Sequence, residues 1–250
     1  MSRTAGGIGR RRRGRAWRAA LARAERRRRA LRWTAVVVAL AALAGGIVAA
    51  GAGRRATAGA ARRPHHDSAP SALTGPPGPE AIVLETGTPL APAATAAKGE
   101  PVDGIRCDAS EHVAYHVHTH LAVYANGRLR PLPAGIGIVT PLAQQTTDGP
   151  FYTATRCYYW LHVHAQDGII HIESPDVRTY TLGEFFAIWQ QPLSATQVGP
   201  AVGAVAAFVD GRPYPGDPAD IELGSREDIQ LDVGNAQVPP RRVDWSQSQL

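Results

Sequence analysis

A run of 21 residues without a charged side chain, 33–53 (WTAVVVALAALAGGIVAAGAG), is the strongest single constraint on how this chain can be arranged. At about 1.5 Å rise per residue, a helix of that length spans the roughly 30 Å hydrocarbon core of a bilayer. The 32 residues before it carry 13 Arg against one acid, Glu25, whereas only Arg54, Arg55, Arg62 and Arg63 follow it closely. Arg-rich flanks stay cytoplasmic. The pattern therefore predicts a basic cytoplasmic tail (1–32), one transmembrane helix (33–53) in the cell membrane, and an extracytoplasmic C-terminal part. The tail can also rest on anionic inner-leaflet lipid, although a plain topology signal explains it as well. A cleaved export signal is the competing reading. Ala50-Gly51-Ala52 has the small residues of a cleavage site, and Arg28-Arg29-Ala30-Leu31 resembles a twin-arginine signal, but the apolar run exceeds the usual length of about 7–15 residues. Both readings place the rest of the chain outside.

That remainder divides by composition. Residues 54–100 are rich in Ala, Pro, Gly, Thr and Ser without apolar periodicity, which predicts a flexible stalk; His65 and His66 fall within it. Residues 101–236 read as the folded domain, and 237–250 as a disordered tail. The whole chain has a net charge of +6, yet residues 101–250 carry nine Arg against sixteen acids, a net of −7. A phosphate-tracking surface needs the opposite sign, so nucleic acid is excluded as a partner of the domain. The two cysteines, Cys107 and Cys157, pair as a disulfide in an oxidising compartment.

Within the domain, short alternating runs are punctuated by Asn126-Gly127, Asp167-Gly168 and Asp210-Gly211, dipeptides that suit two-residue hairpin turns because both positions need φ > 0. Thr181 and Glu184 form a capping box ahead of Leu182, Phe185, Phe186 and Trp189, which recur at helical spacing. Ile229, Leu231 and Val233 alternate as a closing strand. The predicted fold class is mainly β (α+β): a compact domain of antiparallel hairpins with one packed helix, preceded by a single transmembrane helix.

The histidines carry the chemical signal. His116, His118 and His120 alternate along one strand and project from one face; His162 and His164 do the same on another. A two-residue turn at Asp167-Gly168 places His164 opposite His171 and His162 opposite Glu173, with Leu161, Val163, Ile170 and Ile172 on the other, apolar face. The candidate metal ligands are therefore His116, His118, His120, His162, His164, His171 and Glu173. Imidazoles with a carboxylate suit a divalent ion, Zn(II) or Cu(II) before Ni(II) or Fe(II), and the lone Met1 argues against a Met-rich Cu(I) carrier. His65, His66 and His112 lie outside this pattern.

The segments CDxxExxxYHxHxHLxxYxNG, PAGIGI, CYYWLHxH, GIIHIESP, RTYTLGEFFxIW, QPLSATQVG and VDGRPYPGDP resemble an uncharacterised family of secreted or membrane-anchored bacterial and archaeal His-rich proteins. The resemblance covers about residues 104–234 and implies a domain without supplying an activity. It departs at Ala165, where the family often has Asp. Three functions fit: a membrane-tethered metal-binding module for sensing, buffering or delivery; a non-metal envelope domain with a structural histidine network; and a metal-dependent enzyme with Glu173 or Glu111 as general base. No HExxH, P-loop or dinucleotide motif supports the third.

Overall fold

The computed structural model describes residues 71–250. The basic tail, the predicted span, His65 and His66 lie outside the described residues. Among the described residues no helix is long and apolar enough to cross a membrane.

The central strand, Tyr115–Ala125, is the organiser. On one side its first half pairs antiparallel with Ile169–Ser174, which in turn pairs with the short strand Leu161–His162. On the other side it runs parallel to Glu227–Val233, followed by Val205–Val209 and Arg212–Tyr214. Arg128–Leu129 folds back on its C-terminal end and completes a seven-stranded, mostly antiparallel sheet. The turns at Asn126-Gly127 and Asp210-Gly211 have the predicted two-residue form, with positive φ at both positions.

Alternation decides which face is buried where. Leu121, Val123, Ile170, Ile172, Leu161, Ile229 and Leu231 point into one core, against the helix Leu182–Trp189. That helix starts as its sequence dictates: the Thr181 hydroxyl accepts from the Glu184 backbone N–H, and the Glu184 carboxylate accepts from that of Thr181. Its buried residues are Leu182, Phe185, Phe186, Ile188 and Trp189.

A second, three-stranded sheet joins Cys107–Asp108, Gly149–Tyr159 and Ile138–Thr146. The predicted Cys107–Cys157 disulfide is present, with Cα atoms 5.4 Å apart. From the strand Gly149–Tyr159 of this sheet, Phe151 and Tyr158 bring their rings against His164 and His162.

Two expectations about the ends need correction. Residues 73–100, predicted as stalk, pack on the domain: Ile82, Leu90, Ala91, Ala96 and Ala97 are buried, and the Leu90 and Ala97 backbone N–H groups donate to the Pro131 and Ile188 carbonyls. The C-terminal stretch, predicted as disordered, also lies on the sheet. Asp228, Gln230 and Asp232 alternate outward along their strand yet are buried, because the tail covers them: Val243, Arg241 and Val238 donate backbone N–H groups to these three side chains respectively. Buried polar groups require such partners, and here the tail backbone supplies them.

Candidate metal centre

Register builds the site. His118 faces His171 across one strand pair, and His171 faces His162 across the next, so three imidazoles form a lateral row over three strands. Paired side chains on one sheet face stand about 4.5–5.5 Å apart at Cβ. His116 faces Glu173 one step further along the same face.

This register corrects the predicted one. His162 pairs with His171 rather than with Glu173, and His164 leaves the ladder. Asp167-Gly168 is not a two-residue turn. Asp167 is fully buried and accepts from the Ile169 N–H, while Val163 exchanges backbone hydrogen bonds with Gly135 and Ile136 instead of with the neighbouring strand. The connection thus consumes residues 163–168 and shifts the pairing by two. A shift of two preserves faces in a ladder of period two, so the histidines stay together and the apolar face stays in the core.

His164 reaches the row from that loop. Its ring stacks on Phe151 with centroids 4.4 Å apart, and its Nδ1 donates to the Tyr152 carbonyl at 2.6 Å. His162 Nδ1 donates to the Tyr159 carbonyl at 2.8 Å. Carbonyls only accept, so both Nδ1 atoms carry a proton. In neutral rings both Nε2 atoms are then bare lone pairs, yet they face each other at 2.9 Å. Two acceptors at that distance need a proton between them, or a metal ion that both ligate once the rings part slightly, since two nitrogens at about 2.0–2.1 Å from one tetrahedral Zn(II) stand roughly 3.3–3.4 Å apart.

Carboxylates ring the imidazoles. Glu173 Oε1 lies 3.0 Å from His116 Nε2 and 3.2 Å from His171 Nδ1. Glu80 Oε1 lies 2.8 Å from His171 Nε2, and Glu111 Oε1 lies 3.2 Å from His164 Nε2. The Asp167 carboxyl lies beside that of Glu80. His171 Nε2, Glu80 Oε2 and Asp167 Oδ2 are buried without a well-aligned hydrogen bond. Two sets of donors could hold a metal ion: His116, His118, His171 and Glu173, and His162, His164, His171 and Glu173.

Burial, reinforced by neighbouring imidazoles, holds His162 and His171 well below the ordinary histidine range and His118 at about 2. These rings are neutral and in their ligating form. His164 moves the other way: burial opposes its charge but is outweighed, first by the Glu111 carboxylate. Burial lifts Glu80 and Glu173, the latter to about 7 with help from the Glu111 charge.

His120 does not join the predicted ligands. It shares their face, but two residues beyond His118 it stands against Glu85 at 3.4 Å and Asp228 at 3.5 Å, on opposite ring nitrogens. Burial disfavours its charge, but the facing Asp228 and Glu85 carboxylates prevail and raise it to about 9. His112 is likewise apart, bonded to Asp108 at 2.8 Å. Two groups escaped the sequence reading: Glu80, assigned to the stalk, and Asp167, assigned to a turn. The run Glu80–Glu85, in which Ile82, Val83 and Leu84 stand between two acids within a Pro/Gly-rich stretch, was the available signal.

Compared with protein-family models, curated proteins and solved structures, the chain matches none of them.

Proposed function

We propose that this chain is a membrane-tethered, extracytoplasmic metal-binding protein that holds a divalent ion, Zn(II) or Cu(II), in its histidine cluster for sensing, buffering or delivery. The observation that carries the reading is the facing of His162 Nε2 and His164 Nε2 at 2.9 Å, with both Nδ1 atoms engaged by backbone carbonyls. Nδ1–H to carbonyl bonding is how proteins fix the tautomer of a metal-bound histidine. A buried carboxylate and a third imidazole lie within reach of the same pair. The competing reading, a structural network in which one shared proton bridges the two rings, draws on Glu111 beside His164.

Titration of the purified, metal-free full-length chain with Zn(II) and Cu(II) separates the two. Binding at micromolar concentration or tighter, lost in His164→Ala and kept in the His65→Ala/His66→Ala variant, is the expected result. A wild type that binds neither metal, or a His164→Ala variant of unchanged affinity, leaves only the proton network.

The tether rests on the uncharged run 33–53 and the Arg asymmetry around it. Protease added to intact cells should remove the C-terminal domain and leave the N-terminal tail protected. A mature chain that begins near residue 53 would replace the tether with a cleaved signal.

A further inference from the structure

We propose that the cluster holds two divalent ions, an inner one at His162 and His164 and an outer one at His116 and His118, with His171 and Glu173 between them. This rests on the metal-binding reading above and extends it from one ion to a paired centre. The donors fall into two sets: within each set the ligand atoms lie within 4.8 Å of one another, and only His171 and Glu173 belong to both. Each set has its own converging pair of ring nitrogens, His162 Nε2 to His164 Nε2 at 2.9 Å and His116 Nε2 to His118 Nε2 at 3.0 Å. One Zn(II) ion is almost always satisfied by four ligands, fewer than the six donors gathered here.

The two shared residues are built for a middle position. The His171 ring stands edge-on to His118 and to His164 at the same 4.5 Å. His162 and His164 each spend one nitrogen on a backbone carbonyl, but His171 spends neither: its Nδ1 faces Glu173 and its Nε2 faces Glu80. Glu173 Oε1 in turn touches His116 of the outer set as well as His171.

Exposure distinguishes the sites. The His162 side chain is fully buried and that of His164 is 3% exposed, whereas that of His116 is 41% exposed. The outer ion should therefore exchange with solvent and the inner one should not.

The experiment loads the full-length chain with Zn(II), removes free metal by dialysis and measures zinc per chain before and after a chelator of moderate affinity. The wild type should hold two ions and release one quickly. The His116→Gln/His118→Gln variant should hold one ion, retained against the chelator; His116→Gln alone, at a partly exposed position, should lose the fast-released ion. A wild type with one ion, or a second ion that survives in both variants or vanishes with His65→Ala/His66→Ala, overturns the paired centre and leaves the single-ion reading standing. A wild type with no ion overturns both.

Discussion

At the scale of single residues, the proton inventory of the cluster predicts how binding depends on pH. Burial keeps His118, His162 and His171 neutral, so no proton need leave them when a metal arrives. His164 is the exception, because Glu111 raises it despite burial. A group raised in the metal-free protein holds its proton to higher pH, and protonated imidazole cannot ligate. Affinity should therefore fall as pH drops below neutral, and metal binding should displace the His164 proton wherever that ring still holds it. In Glu111→Gln that release should shrink, as measured by calorimetry in buffers of different ionisation enthalpy. Glu80 meets His171 Nε2 directly, and loss of such a supporting carboxylate commonly lowers metal affinity about 10–100-fold. Competition titration of Glu80→Gln against a chromogenic chelator should show a loss in that range.

At the scale of elements, two contacts hold the His162 strand where the site needs it. Gly137, in the PAGIGI segment, has φ +70, and a Cβ there would run into the Leu161 carbonyl and the His162 backbone. Gly137→Ala should lower stability by more than about 1 kcal/mol, since a positive φ and a backbone clash act together. It should also weaken metal binding, because relief of the clash displaces His162. Beside this strand, Asp108 accepts from the Trp160 indole at 2.8 Å and contacts His112 at 2.8 Å. Burial raises its carboxyl, but the hydrogen bonds from Trp160 and then His112, with the Arg106 charge, together prevail and hold it below the ordinary range. A depressed acid stabilises the fold above its unfolded pKa, about 3.9, and the contribution is lost as pH falls through the folded value. The difference in melting temperature between wild type and Asp108→Asn should thus be present at neutral pH and close as the pH falls below about 3.9.

At the scale of the molecule, the domain is larger than its β hairpins. Residues 73–100 bring Glu80 to the cluster and Glu85 to His120, and the C-terminal stretch seals the strand Glu227–Val233. A fragment limited to residues 101–236 lacks both; it should bind metal more weakly than the full chain and melt at lower temperature. Asp228 links these parts, since Oδ1 accepts from Val243 N–H and faces His120 on its other side. The disulfide closes a separation of 50 residues, which corresponds to roughly 4 kcal/mol in the chain-entropy model. The Cys107→Ser/Cys157→Ser variant should unfold at a denaturant concentration lower by that equivalent, with unchanged metal stoichiometry if it remains folded.

Local rules were enough for several of these features. Asn-Gly and Asp-Gly placed two hairpins, Thr181 and Glu184 placed the helix start, and period-two alternation set His116, His118, His162 and His171 on one face with Leu161, Ile170 and Ile172 on the other. Those are consequences of backbone dihedral preference and strand geometry, which the residues carry with them. What tertiary structure decided was how far along each strand the partners sit and what covers each face. Asp167 reads as a turn residue until burial beside Glu80 removes it from the turn, and His120 reads as a ligand until Glu85 and Asp228 claim both its nitrogens. Pro- and Gly-rich residues 73–100 lack the periodicity that marks an element, because they pack through scattered contacts rather than one repeating face. Alternation tells which side of a sheet a histidine occupies; only the folded chain brings a distant carboxylate to meet it.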